Sequence, residues 1–573
     1  MNRIKITLSA LFVLTFWASF NSFAAPVPTA EQVDRTRQLE DEDRALREKI
    51  ETKKPKPAID QEAPDKYLPV STSKEKTLVK NITVTGVTLL PEKEISRIIR
   101  PYKDKELTLG DMQTIANRIT DAYRQKGYIT SRAYLPPQKI QNALLEIRVL
   151  EGLMGEIEVK GNRFFKSSLI KRKVSLKKGK AFNYETLRKD MVKINELPDR
   201  SSKAVLVPGK EPGSTDLVLE VKDRLPIHAG FSWDNFGSRY IDKQRYSVNF
   251  IDNNLTGFDD KLTFQYQMAQ HSRYYLKNIR YVFPVANEWD IGGYAMLSRV
   301  KLGKEYEDDG VRGKSHFYGI FINNYSINTE TLDFNVNLGF DYKDSINYQD
   351  SAVTSHDRLR IVKLGLDLDV TDILGRTILT NELACGIPNI MGGSSAKDPE
   401  SSRSGAGGKF VKDTINLLRL QKMPFSSSLL WKNQVQISPY ILPSTEQFQI
   451  GGIANVRGYP PAEAVGDRGF STTLEWSFPP YLFPKNIKVP FSKAKFYDAF
   501  RFLGFYDLAT SRLRRPTEGT EEKSETLSSL GCGIRFNLPE DLSLRLEVAW
   551  PLENKTPSDG NHARTWVSFS KTF

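Results

Sequence analysis

Few residues in this chain have the type and spacing to do covalent chemistry. No GxSxG, HExxH or phosphate-loop run is present, and the five histidines are scattered. The two cysteines, Cys385 and Cys532, form no CxxC or metal-ligand spacing. Both lie on apolar faces of alternating segments, Leu383-Cys385-Ile387 and Leu530-Cys532-Ile534, where a thiol acts as a small hydrophobe. The expectation is no enzyme, no metal and no cofactor. What remains is electrostatic. Residues 447–469 read QFQIGGIANVRGYPPAEAVGDRG, a glycine-rich stretch with adjacent prolines that is neither helix nor strand throughout. Within it lies Val456-Arg457-Gly458-Tyr459. An arginine between small and aromatic residues needs an acidic partner wherever it is buried. Left exposed, it is an ordinary surface residue of a loop.

The elements around that stretch alternate with period two, as strands do. In residues 332–342, Leu332, Phe334, Val336, Leu338, Phe340 and Tyr342 share one face, and Asp333, Asn335, Asn337, Gly339 and Asp341 the other. Residues 261–268 and 542–550 repeat the pattern, the latter with Ser543, Arg545 and Glu547 on its polar side. Residues 223–573 hold about 16 such segments, an even number as in bacterial membrane barrels. The chain after Lys222 allows about 22 residues for each strand and its connection, which suits tilted strands of about 9–11 residues. A soluble sandwich also alternates, with its apolar face inward. Aromatic residues recurring toward strand ends, and a chain that stops on the alternating run Arg564 to Phe573, favour a transmembrane barrel. In that barrel the apolar face meets lipid. Phe470, Leu474, Trp476 and Phe478 then put Glu475 in the lumen, and Phe500, Phe502 and Tyr506 put Asp507 there too.

Residues 1–24 read as a secretory signal, with Arg3 and Lys5, an apolar run from Ile6 to Phe20, and a small-x-small site ending at Ala24. The formal net charge of +13 falls by two when Arg3 and Lys5 leave. In an exported chain that charge favours acidic partners or anionic lipid headgroups, not nucleic acid. Residues 25–51 hold a helix capped by Thr29 and Gln32, with ion pairs at i,i+4 and few apolar positions. Such a helix suits water or polar walls. Residues 52–76, with Pro55, Pro57, Pro64 and Pro69, form an extended tether.

Residues 77–152 and 153–222 each predict the order β-α-α-β-β, an internal duplication. This resembles a pair of POTRA domains, periplasmic modules that bind unfolded outer-membrane or secreted chains. Residues 107–138, with a Tyr-x-x-x-Gly-Tyr element from Tyr123 to Tyr128, look like the first POTRA domain of two-partner secretion transporters. In such a sheet the second strand is an edge, free to pair with an extended peptide. The candidate client-binding edges are Ser131, Arg132, Ala133, Tyr134 and Leu135, and Lys203, Ala204, Val205, Leu206 and Val207. Pro136, Pro137 and Pro208 equally suit blunting these edges against aggregation. A basic run, Lys171 to Lys180, reads first as a solvated face.

The stretch 447–469 resembles the inward-folded loop of the superfamily that contains BamA and the two-partner secretion transporters, whose tip is V-R-G-[FY]. Phe505-Tyr506-Asp507 matches the F-x-D of a following strand, and the terminal Phe573 resembles an outer-membrane sorting signal. The resemblance implies that Val456, Arg457, Gly458 and Tyr459 fold into the lumen, where Arg457 meets Asp507 and Glu475. With only two POTRA-like units and a polar amino-terminal helix, the chain resembles the TpsB family, the haemolysin-activator, FhaC and CdiB-like transporters. The fold implied is a mostly-β chain: a transmembrane barrel of about 16 antiparallel strands, two POTRA-like domains before it, and a lumenal plug helix. The function implied is export of an unfolded partner exoprotein across the outer membrane of a Gram-negative bacterium, without nucleotide. The POTRA domains would stand in the periplasm, the barrel among outer-membrane lipids, put there as a monomer by the barrel-assembly machinery. The alternative is a BamA-like assembly factor. A haemolysin, an adhesin and a contact-dependent toxin all stay open as clients.

Overall fold

The computed structural model describes residues 29–52, 57–61 and 71–573, except 141, 287, 491, 493, 517–522, 539–541 and 554–555. The stretch read as a secretory signal, and Pro55, Pro64 and Pro69 of the tether, lie outside the described residues.

Sixteen strands close into one antiparallel barrel in which each strand pairs with its neighbours in sequence. Closure joins Gly230–Asp234 of the first strand to residues 568–572 of the last. The two faces of the wall decide between barrel and sandwich. Ile320, Leu338 and Leu364 are exposed on the outside, whereas Asp341, Lys343 and Ser345 are buried inside. Apolar side chains therefore point away from the interior, which a soluble sandwich cannot allow. Cys385 and Cys532 are free, on the ninth and fourteenth barrel strands.

The first small domain joins Asn81–Thr85, Leu144–Leu150 and Arg132–Tyr134 in a three-stranded sheet, with Arg132–Tyr134 at one edge. Helices Glu92–Ile99 and Leu109–Gln125 supply its core. The second of these starts at a capping box between Thr108 and Asp111 and buries Met112, Ile115, Ala116, Ile119 and Tyr123 along one stripe. Lys76–Val79 and Lys105–Thr108, which the order β-α-α-β-β does not include, pair in a separate two-stranded antiparallel sheet.

The second domain repeats the order with Leu153–Lys160, helices Ser167–Arg172 and Tyr184–Ile194, then Arg200–Pro208 and Ser214–Asp223. Its sheet has a fourth strand, Ala58–Gln61, drawn from the tether. The domain is pinned to the barrel by buried ion pairs. Arg200 forks onto both Asp259 oxygens at 2.9 Å, Lys173 reaches the same carboxylate at 2.7 Å, and Asp199 binds Arg224 and His228 at 2.8 Å and Asn253 at 2.7 Å.

Helix Ala30–Glu51 runs inside the barrel. Its capping box, Thr29 with Gln32, forms as the sequence predicts. Twenty-two residues at about 1.5 Å each make a rod roughly 33 Å long, about the thickness of a hydrocarbon core (~30 Å). Asp34 lies against Ser298 and Ser315 toward the far end of the barrel. Ile50 packs on Ile378, Leu418 and Leu430 at the end nearer the small domains.

Candidate functional site

The connection between the eleventh and twelfth barrel strands, Ser428–Ile437 and Arg468–Phe478, folds back into the lumen. A short ladder, Phe448–Ile450 with Ala464–Gly466, makes its stem. Gly451 and Gly452 turn the chain at φ +102° and +87°, where a side chain would be strained. The Asn455 side chain holds that turn, accepting from Gly451 N at 2.8 Å and donating to Gln449 O at 2.8 Å. Val456 and Tyr459 are fully buried with Phe448, Ile450, Ala509 and Leu527. Gly458 is required for a different reason: a Cβ there would lie 2.7 Å from Ser529 Cβ and 2.9 Å from Pro551 N. The loop tip thus touches the wall too closely for any side chain.

Arg457 is buried and fully engaged. Its Nε and Nη2 fork onto Asp507 at 2.9 and 2.8 Å, and its backbone N–H donates to the same carboxylate at 3.1 Å. Its Nη1 donates to Glu475 and to Glu547, both at 3.0 Å. The guanidinium carbon lies 3.3 Å from the centre of the Phe505 ring, a cation–π contact. Thr473 and Ser529 donate to Asp507 at 3.0 and 3.2 Å, and Trp566 Nε1 donates to the Arg457 carbonyl at 2.8 Å. Both carboxylates named from the sequence therefore sit where the period-two arithmetic puts them.

Four participants were missed. Glu547, Arg535, Arg545 and Trp566 complete the cluster. Arg535 bridges Glu475 and Glu547 at 2.7 and 2.8 Å, and Arg545 binds Glu547 at 2.5 Å. The signal was available for Glu547 and Arg545, which lie on the polar face of residues 542–550. Register places Glu547 opposite Gly533, close to the loop tip.

The lumenal helix joins this cluster. Arg47 reaches Glu475 at 3.4 Å and Asp43 at 2.9 Å, and Lys432 binds Asp43 at 2.6 Å. Lys432 also donates to the loop carbonyl of Ala454. Higher up, Glu40 pairs with Arg245 at 2.7 Å, and Thr36 donates to Gln449 of the loop at 2.7 Å. The plug therefore touches both wall and loop through polar groups.

The two candidate edges differ. At Ser131 to Leu135 only Arg132–Tyr134 is strand, and the Ala133 N–H already donates to Thr120 of the neighbouring helix at 3.0 Å. Ser131 is buried and accepts from Gly152 N at 2.9 Å. At Lys203 to Val207 the edge is long but occupied. Ala58, Ile59, Asp60 and Gln61 pair in parallel with Lys203, Ala204, Val205 and Leu206. Ile59 packs on the domain core and Asp60 pairs with Lys203 at 2.5 Å.

A closed sixteen-stranded barrel with an arginine-clasped inner loop, preceded by two POTRA folds, defines an outer-membrane transporter of the kind that handles polypeptides. Residues 77–152 match the family model for the POTRA domain of ShlB type, and residues 153–201 a second POTRA model. Residues 213–494 match the model for haemolysin secretion/activation protein ShlB/FhaC/HecB. The chain belongs to that ShlB/FhaC/HecB family of two-partner secretion transporters. It is 25% identical over 493 residues to the heme/hemopexin transporter protein HuxB of Haemophilus influenzae strain 86-028NP, covering 84% of each chain. It is 21% identical over 412 residues to the hemolysin transporter protein ShlB of Serratia marcescens, covering 70% of this chain and 72% of that one. In fold it matches CdiB from Escherichia coli with a TM-score of 0.74, at 19% identity over 96% of this chain and 100% of that one. BamA from Haemophilus ducreyi lacking POTRA domains 1–3 gives a TM-score of 0.52 at 12% identity, over 87% of this chain and all of that one.

Proposed function

We propose that this protein exports one unfolded exoprotein, encoded as its partner, by capturing it in the periplasm on the POTRA pair and passing it through the barrel lumen. The observation that carries this reading is the joint placement of plug and tether. The helix filling the lumen and the strand covering the Lys203–Val207 edge belong to one segment of chain, Ala30–Gln61. An extended client that pairs with that edge must first displace residues 58–61. The same displacement slackens the tether that leads to the plug. Capture and opening are thereby linked without nucleotide: the client's backbone hydrogen bonds replace those of the tether strand. The edge Ser131 to Leu135 is the lesser candidate, because its strand is short and one of its donors is satisfied.

That one chain supplies pore, plug and capture edge supports a transporter that works as a monomer. The barrel fold supports insertion into the outer membrane by the barrel-assembly machinery. The relatives' names include a heme/hemopexin transporter and a hemolysin transporter, and the exported partner here is read as a secreted protein of that kind. The test is removal of this chain, followed by quantitative proteomics of the medium and the outer membrane. Loss of one large exported protein, with barrels otherwise at normal levels, is the expected outcome. General depletion of outer-membrane barrels would overturn the proposal in favour of an assembly role.

A further inference from the structure

The outer face of the barrel carries a feature that export does not use. Near the outer end of three consecutive strands, Tyr274–Ala286, Trp289–Lys301 and Arg312–Asn328, the lipid-facing side carries cations. These are Lys277, Arg299, Lys301, Arg312 and Lys314, all exposed. Register sets Arg299 directly opposite Lys314, and Lys301 directly opposite Arg312. Like charges facing each other across neighbouring strands destabilise a sheet. Among the described residues none of the five has an ion pair. In the loop above, Glu305 pairs with Arg239 and Glu307 with Arg273, and among the described residues no ion pair joins Asp308 or Asp309 to any of the five.

Depth is fixed by the apolar band. Along the strand Trp289–Lys301, the outward side chains Ile291 and Leu297 precede Arg299, and on its neighbour Ile322, Ile320 and Tyr318 precede Lys314. Trp289 marks the periplasmic interface. The ten steps from Trp289 to Arg299, at about 3.3 Å each and tilted about 40°, rise roughly 25 Å, the height of a barrel's apolar band. The cations therefore stand at headgroup level in the outer leaflet. Aromatic rings support them: Arg299 lies 5.6 Å over Tyr275, and Arg312 and Lys314 lie 5.3 and 5.8 Å from the Tyr348 ring. Strands about 4.8 Å apart and paired positions about 7 Å apart along them give a patch on the order of 10 by 7 Å.

We propose that this patch binds the phosphorylated sugar headgroup of the outer-leaflet glycolipid, lipid A, with the opposed pairs Arg299/Lys314 and Lys301/Arg312 clamping its phosphates. Two guanidiniums suit forked recognition of phosphate oxygens, and the ammoniums add point charges. Bound phosphate offsets the like-charge repulsion across the strands.

The test uses full-length folded protein in neutral detergent, with folding checked by heat-modifiable migration. Binding of diphosphoryl lipid A, monophosphoryl lipid A and phosphatidylglycerol is measured by native mass spectrometry. Diphosphoryl lipid A should bind at least tenfold more tightly than phosphatidylglycerol, with the monophosphoryl form between them. Arg299→Gln/Lys301→Gln/Arg312→Gln/Lys314→Gln should abolish that preference. The milder Arg299→Gln/Lys314→Gln, for use should the fourfold variant not fold, should weaken lipid A binding several-fold. A control on the periplasmic side, Lys485→Gln/Lys488→Gln/Lys495→Gln, should leave it unchanged. Equal binding of all three lipids, undiminished binding by the patch variants, or an equal loss in the control would each overturn the proposal.

Discussion

At the scale of single residues, the clasp is a buried charge cluster whose parts are worth most together. Arg457, Arg535 and Arg545 face Asp507, Glu475 and Glu547, so the loop and wall alone are balanced, and Arg47 of the plug is an additional cation. Removing one partner of a buried pair strands the other, at a cost of about 3–5 kcal/mol. Arg457→Ala should therefore leave a barrel that assembles but unfolds at lower temperature and secretes poorly. Asp507→Ala should resemble it, and the double variant should be no worse than the worse single one, because one interaction is lost once. Additive defects in a secretion assay would count against the pair. Gly458→Ala tests the close approach rather than the charge. Its Cβ would meet Ser529 and Pro551, so the tip must withdraw, and single-channel recordings should show more frequent openings. Glu475 and Asp507 were legible in the sequence because alternation assigns a face to every residue of a strand. Trp566 was not, because alternation gives the face of a residue and not its neighbour, and the last strand meets the loop only after closure.

At the scale of elements, the sequence foretold both small domains and the capped helix from local signals: caps, i,i+4 pairs and apolar stripes. It could not foretell that Ala58–Gln61 pairs with residues 203–206, since four residues flanked by proline carry no register. Parallel addition at an edge depends on which backbone groups the domain leaves open, a tertiary matter. The Asp60–Lys203 pair is largely exposed and contributes little. The hold is the backbone ladder and Ile59. Replacing residues 58–61 by Gly-Ser-Gly-Ser should free the edge and raise the affinity of full-length protein for an unfolded client fragment several-fold, measured by fluorescence anisotropy. Val205→Pro within the edge should lower it without reducing barrel levels. Unchanged affinity in the first variant would mean that the tether strand does not compete with the client.

At the scale of the whole molecule, two polar joints set what can move. The joint between the second small domain and the barrel includes the carboxylates Asp199 and Asp259, with the pairs Arg188–Glu330 and Lys193–Glu288 beside them. Burial raises the Asp259 carboxyl, but the hydrogen bond from Arg200 and the charge of Lys173 carry it below its ordinary value. Asp199 is likewise raised by burial and then lowered further by Asn253, His228 and Arg224. A carboxyl depressed in the docked state favours docking above its free value of about 3.9, and that favour is lost as pH falls through the depressed value. Spin-label distances between the domain and the barrel should thus hold from pH 7 to 5 and broaden below about pH 4. The second joint is the plug. Its Asp34, Glu40, Asp43 and Arg47 are buried against serines, Arg245, Lys432 and Glu475, so leaving exchanges protein partners for water at each. Desolvated pairs gain little net over hydration, and the apolar residues it buries are few: Val33 toward one end, Leu39 midway, and Ile50 with Leu46 at the other. A helix held this way can depart without an energy source. When it goes, Arg47 goes with it, and the clasp it leaves holds three arginines and three carboxylates, so Arg457 has no reason to let go. Deleting residues 29–51 should accordingly raise the conductance of the reconstituted channel while secretion persists in part and the barrel keeps its heat resistance. Unchanged conductance together with lost client binding would make the helix a recognition element instead. Lost heat resistance would mean that the plug holds the loop in place.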